Sequence, residues 1–235
     1  MEKLELNIQG LDNFLVQEAY KFIRTNIQFC GSDMRTIALT SCNENEGKTT
    51  VSIYIAKSFA ELGKKVLLID ADMRKSVLAG RNFKVPVVAG LSELLSGIEK
   101  NINNCIYGTT VDNLYLLLAG KYPPNPAELL NSKYFDSIIN ATRQSFDYII
   151  IDTPPLGAVT DAAIIASKVD GTVLVIGSEK VDREQAQEVV SQLRSSGTKL
   201  LGAIRNNMDE KKKSYYRKGG KYYKHYYKHS DKTEK

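Results

Sequence analysis

A chain of 235 residues with 43% apolar and 25% charged content can bury one sizeable core. Its formal charge of +5 is uneven: residues 211–235 hold ten Lys or Arg against two acids, near +8, while the preceding part is near −3, so the basicity belongs to a tail. No apolar run approaches the roughly 18 residues of a spanning helix, and Cys30, Cys42 and Cys105, odd in number and without CxxC spacing, argue against a disulfide frame or a zinc site.

In chain order, residues 1–6 lack a signal segment, which predicts a cytoplasmic protein, and 11–29 reads as a helix ahead of the first strand. Six runs, at 36–40, 65–69, 114–118, 148–151, 172–176 and 200–204, are near-continuously apolar rather than alternating. Strands of that kind are buried on both faces, as in a parallel sheet. Helix-period segments lie between them at 48–62, 126–144, 161–167 and 183–195. Asn125 before Pro126 and Asp182 before Arg183 predict caps, and Gly63 and Gly197 predict helix ends. Alternating strand and helix implies right-handed crossovers and an α/β, doubly wound, mostly parallel sheet. The organisation is one domain over 1–210 and a basic tail over 211–235.

The first strand runs into Cys42-Asn43-Glu44-Asn45-Glu46-Gly47-Lys48-Thr49-Thr50 and then a helix, the context a P-loop needs. The backbone from Asn45 through Glu46, Gly47, Lys48, Thr49 and Thr50 is expected to bind ATP. Lys48 reaches the β- and γ-phosphate oxygens and the Thr49 hydroxyl ligates Mg2+. Cys42 stands where a strict Walker pattern has glycine, and Asn45 where another glycine is usual; asparagine tolerates a positive φ. Glu44 and Glu46 are expected to point outward, away from polyphosphate.

Two further strands end in acids: VLLIDADMR carries Asp70 and Asp72, and YIIIDTPP carries Asp152. Residues i and i+2 at a strand end project to the same side, and open α/β sheets bind ligands at these carboxyl ends. The three acids and the P-loop therefore predict one crevice, suited to a metal that takes few carboxylates plus phosphate oxygens. The tail packs Tyr215, Tyr216, Tyr222, Tyr223, Tyr226 and Tyr227 into three adjacent pairs among lysines. His225 and His229 lie there without carboxylate or thiol neighbours, so no metal site is expected from them.

GKTT, VLLIDADMR and YIIIDTPP together resemble the bacterial P-loop tyrosine kinases of the cytoplasmic CpsD/CapB type, a likeness running from Glu18 to the C-terminus and including GKYPPNPAELL at 120–130. The resemblance implies a MinD/ParA-like P-loop NTPase fold and an ATP-dependent kinase of capsule or exopolysaccharide synthesis. It would phosphorylate its own tail tyrosines in trans. Lys48, Asp70 and Asp72 would be catalytic, with Asp70 as the base toward tyrosine, though spacing alone does not divide Asp70 from Asp72. Thr49, Asp72 and Asp152 would hold Mg2+, and Asn206 would contact adenine, with Asn207 the next candidate. The family's Glu-x-x-Arg-x-x-Arg helix appears as Glu18, Lys21 and Arg24 and implies a ring of subunits, with lysine replacing the first arginine.

Implied partners are a membrane-anchored polysaccharide co-polymerase that activates the kinase and recruits it to the inner face of the membrane, and an opposing tyrosine phosphatase. A sugar-nucleotide dehydrogenase is a further implied substrate; nucleic acid is not expected. The alternative is a MinD/ParA-like positioning ATPase, against which stands Asn43, since those proteins carry a signature lysine there. Read otherwise, the tail is a nucleic-acid or membrane arm, or a solvated polybasic extension.

Overall fold

A computed structural model describes residues 3–6, 14–78, 89–177 and 181–206. The tail tyrosines, Asn207 and residues 11–13 of the expected first helix lie outside the described residues. Seven strands form one sheet: β1 (Thr36–Ser41), β2 (Val66–Asp70), β3 (Ile106–Gly108), β4 (Leu114–Leu117), β5 (Tyr148–Asp152), β6 (Gly171–Gly177) and β7 (Leu200–Asn206). Their order is β3-β4-β2-β5-β1-β6-β7, parallel throughout except for the β3–β4 pair.

The near-continuous apolar runs explain why both faces are covered. Along β1, Ile37 and Leu39 enter the core on one side of the sheet and Ala38 enters the core on the other. Leu68 and Leu67 of β2 divide in the same way, as do Ile150 and Ile149 of β5. This is the two-residue alternation of strands whose central side chains are apolar on both faces.

Among the described residues, seven α-helices flank the sheet: α1 (Phe14–Phe29), α2 (Lys48–Ala60), α3 (Leu91–Leu95), α4 (Pro126–Leu130), α5 (Lys133–Ser145), α6 (Asp161–Ala166) and α7 (Arg183–Ser195). On one face α1 packs on α2, where the Tyr20 and Tyr54 rings stack at 4.5 Å, and Phe59 of α2 stacks on Tyr148 at 4.0 Å. Phe135, Ile138 and Ile139 of α5 and Ile165 of α6 fill the opposite core. From β1 the chain crosses past β5 to β2, whereas from β5 it crosses past β1 to β6. The direction of winding therefore reverses at the carboxyl ends of β1 and β5, the switch point at which such sheets leave a crevice.

Some local expectations fail. The helix expected over 126–144 breaks at Asn131 and Ser132: Ser132 adopts an extended ψ of 158° and its hydroxyl donates to the Leu129 carbonyl at 2.6 Å, which ends α4. Asn125 does not cap α4; its amide instead donates to the Glu128 carboxylate at 2.7 Å. Asp182 does cap α7, accepting from the Gln185 N–H, and Gly63 and Gly197 leave their helices at φ of 78° and 79°. Helix α3 and the antiparallel edge strand β3 were not anticipated, being five and three residues long and too short to show a period. Cys30, Cys42 and Cys105 are free thiols.

Phe59 is fully buried and Phe29 is 82% exposed. Phe59→Ala should cost about 3–5 kcal/mol of unfolding free energy and Phe29→Ala within about 0.5 kcal/mol. Urea unfolding of both variants checks this, and comparable losses would contradict the packing described.

Candidate active site

At the switch point the 42–50 loop closes on itself by means the motif does not announce. Asn45 adopts a φ of 61° and Gly47 a φ of 82°, as a nest of inward N–H groups requires. The expectation that Glu46 faces solvent is wrong. Glu46 is 1% exposed, and its Oε2 accepts the N–H groups of Cys42 at 2.9 Å and Asn43 at 3.2 Å, so the carboxylate staples the start of the loop from within. Glu44 does face outward and pairs with Lys75. Cys42 fits without being glycine because the close approach falls on its neighbour: a Cβ on Gly157 would lie 2.3 Å from the Cys42 carbonyl oxygen. Burial pushes the Cys42 thiol up to about 11, so it carries no thiolate at neutral pH.

Gly47 is fixed by more than its φ. A Cβ there would strike the Asn206 amide nitrogen, which donates to the Glu46 carbonyl at 2.9 Å. Asn206, at the end of β7, thus lies against the loop's last turn. Asn43, in place of a signature lysine, exchanges two amide hydrogen bonds with Gln185 of α7, at 3.0 and 2.9 Å.

The acids converge as expected. Asp70 and Asp152 are directly paired across β2 and β5, at 1% exposure each, and Lys48 from the first turn of α2 donates to Asp152 Oδ1 at 2.9 Å. Ser52, one helical turn on, donates to the same oxygen at 3.2 Å. Asp70 Oδ1 accepts the Asp72 N–H at 3.2 Å and Oδ2 accepts the Ser76 hydroxyl. Burial, then the neighbouring Asp152 charge, raise the Asp70 pKa to about 7, against which the Ser76 hydrogen bond and Lys48 act. Asp72, Lys48, Thr49 and Thr50 line a cleft of about 320 Å³, walled by Asn45, Gly47 and Pro154.

Among the described residues no cluster of three or more acids, histidines or cysteines forms a metal cage. The donors nevertheless fit Mg2+ held with phosphate. Asp72 lines the cleft and Asp152 meets Lys48 beside it, and this hard cation needs only one or two carboxylates beside phosphate oxygens and water. A larger groove of about 460 Å³ opens at the amino ends of β2 and β5, around Lys65, Tyr115 and Phe146. No carboxylate is among its described lining residues, and the phosphate loop lines the smaller cleft.

Several contacts in and around the cleft escaped the sequence. Arg74 grips Asp161, the first residue of α6, through two hydrogen bonds of 2.8 and 3.0 Å. Ser52 and Ser76 bind the acids, and buried Glu93 accepts the N–H groups of Gly90 and Lys121, anchoring the segment that leads to Pro126. On α1, Lys21 pairs with Glu18 at 2.8 Å and Arg24 donates to the Ser58 carbonyl, so this motif is engaged within the subunit.

Because Asp70 holds its proton more tightly when folded than at its ordinary 3.8, its favourable contribution is complete below that value and is lost as pH rises toward about 7. At about 1.4 kcal/mol per unit, the swing is a few kcal/mol. In nucleotide-free protein, Asp70→Asn should gain stability over the wild type between about pH 4.5 and pH 8 in thermal melts. Parallel profiles for the two proteins would contradict the assignment.

Residues 34–206 match the family model of an AAA domain. The chain is 45% identical to the tyrosine-protein kinase CpsD of Streptococcus agalactiae over 85% of its own length and 86% of that protein's. Among solved structures it is similar to the chimerical protein CapA2B2, with 32% identity, a TM-score of 0.79 and 86% and 88% of the two chains covered. It is also similar to the kinase domain of the Escherichia coli tyrosine kinase ETK, with 28% identity, a TM-score of 0.82 and 89% and 83% covered. The likeness to MinD of Aquifex aeolicus is weaker, at 28% identity, a TM-score of 0.60 and 74% and 70% covered. With a lysine-bearing phosphate loop whose Lys48 bonds one of two paired strand-end aspartates, the chain belongs to the bacterial P-loop tyrosine kinases of the CpsD/CapB type.

Proposed function

We propose that the chain transfers the γ-phosphoryl group of ATP to Tyr215, Tyr216, Tyr222, Tyr223, Tyr226 and Tyr227 of a neighbouring copy, and that this controls capsular or exopolysaccharide synthesis. The observation that carries the reading is the convergence of Lys48, Asp70, Asp72 and Asp152 at one sheet edge beside the phosphate loop. The N–H groups from Asn45 to Thr50 cradle the phosphates, and Lys48 exchanges part of its hold on Asp152 for the β- and γ-oxygens. Thr49, Asp72 and the free oxygen of Asp152 hold Mg2+, which when bound offsets the charge developing on those oxygens. Asn206, already against Gly47, turns its amide to adenine.

Asp70 is the base. Its Oδ2 takes the Ser76 hydroxyl, and the incoming tyrosine hydroxyl replaces that contact. Its proton passes to Asp70, the phenolic oxygen bonds to phosphorus, and the electron pair of the broken bond leaves with ADP.

Transfer between copies requires assembly. Glu18, Lys21 and Arg24 exchange their contacts within the subunit for contacts across it, and Phe22 and Phe29 leave apolar area exposed on the same helix, at 60% and 82%. Each phosphotyrosine adds about −1.5 to −2 charges, so four or five would cancel the +8 of the tail and release it. The likeness to the CapA2B2 chimera and to ETK supports a membrane-anchored co-polymerase as activator, with the kinase at the inner face of the membrane. Among the described residues no helix is long and apolar enough to cross a membrane itself. A tyrosine phosphatase would reset the tail, and a sugar-nucleotide dehydrogenase is a second substrate by analogy. A positioning ATPase is the weaker reading despite the fold it shares with MinD, because Asn43 is an amide bound to Gln185 where a lysine would be needed.

Purified protein incubated with Mg-ATP and the activating partner should form phosphotyrosine, detected by mass spectrometry of the tail. Lys48→Met and Asp70→Ala should each lower the rate by about 10²-fold or more, and replacing all six tail tyrosines with phenylalanine should abolish the tail signal. Undiminished labelling in either site variant would contradict the residue roles. A Lys48→Met chain that is not labelled by active enzyme lacking the tail tyrosines would contradict transfer in trans.

A further inference from the structure

Lys48 is committed to Asp152, and Lys75 pairs with Glu44 at the mouth of the cleft. The third cation lining the cleft, Arg74, is held differently. Its Nε donates to Asp161 Oδ2 at 2.8 Å and its Nη2 to Asp161 Oδ1 at 3.0 Å, a fork-on-carboxylate arrangement that fixes the plane of the guanidinium. Asp161 is 1% exposed, whereas the arginine side chain remains 35% exposed. Two of the five guanidinium N–H donors are used, and Arg74 contributes to the wall of the same cleft as Lys48 and Thr49.

A buried carboxylate is an expensive way to gain stability, since the cost of desolvating it about cancels its attraction to one arginine. It does supply a fixed orientation: the guanidinium is held in one plane by Asp161 at the wall of the cleft that the phosphate loop lines. Phosphoryl transfer spreads charge over the equatorial and bridging oxygens as the bond to the leaving group lengthens, and a pre-oriented guanidinium is well suited to meet that charge. Building on the kinase reading, we propose that Arg74 is a catalytic residue acting in cis, donating to the transferring phosphoryl group and the leaving oxygen in the transition state, and that Asp161 is its positioning residue.

The proposal separates binding of the product from binding of the transition state. The full chain is titrated with Mg-ADP alone and with Mg-ADP plus aluminium fluoride, which imitates the transferring phosphoryl group, for the wild type, Arg74→Ala, Arg74→Lys and Asp161→Asn. Thermal melting reports on the fold of each. Mg-ADP affinity should stay within about threefold in all four proteins. The tightening by fluoride should fall about 10²-fold in both Arg74 variants and about tenfold in Asp161→Asn, because lysine cannot reproduce the fork. Fluoride tightening that survives Arg74→Ala overturns the proposal, as does an equal loss of Mg-ADP affinity, which would make Arg74 an ordinary binding or structural residue. Absence of tightening in the wild type overturns it too. Failure of the kinase reading is seen separately: tail phosphotyrosine would be absent while the fluoride effect and its dependence on Arg74 persisted.

Discussion

The ion pair between Lys48 and Asp152 holds the molecule's chemistry in place. A lysine on the first turn of one helix and an aspartate at the end of a central strand meet at 2.9 Å, both nearly closed to solvent. Such a pair is weak evidence for stability, because the desolvation of two charges offsets their attraction. Its consequence is positional. It locks the start of α2 to the carboxyl end of β5, and with Glu46 stapling the opposite side of the loop, the phosphate-binding N–H groups are organised before nucleotide arrives.

The pair also leaves an imbalance. Asp70 lies buried beside Asp152, and its burial first and the Asp152 charge second raise its pKa. A site with more buried acids than bases favours added positive charge, which in the proposed reaction Mg2+ carried with ATP would supply. Arg74 is held at the cleft wall by a separate buried carboxylate, Asp161.

Much of this was readable from residues alone, for physical reasons. Strands buried on both faces declare themselves by unbroken apolar runs, and strand-end acids in a parallel sheet must share one edge, so Asp70, Asp72, Asp152 and the loop could be placed together. The break between α4 and α5 was not readable, because Asn131 and Ser132 are as compatible with a polar helix face as with a turn. Strand β3 owes its existence to pairing with β4 rather than to its own pattern. The burial of Glu46 is not legible locally, because the two loop N–H groups that need an acceptor show only once the loop is folded. The Arg74–Asp161 contact joins residues 87 positions apart, and nothing local to either one announces it.

The account stands on a single proposition, that the acids at this sheet edge bind nucleotide through a shared cation. The most direct measurement is the ATP affinity of the full chain with and without Mg2+, compared between the wild type and Asp72→Asn by calorimetry. The account predicts that Mg2+ tightens ATP binding in the wild type by about tenfold or more and that the variant loses most of this coupling. ATP affinity indifferent to Mg2+, or coupling of full strength in Asp72→Asn, would contradict it.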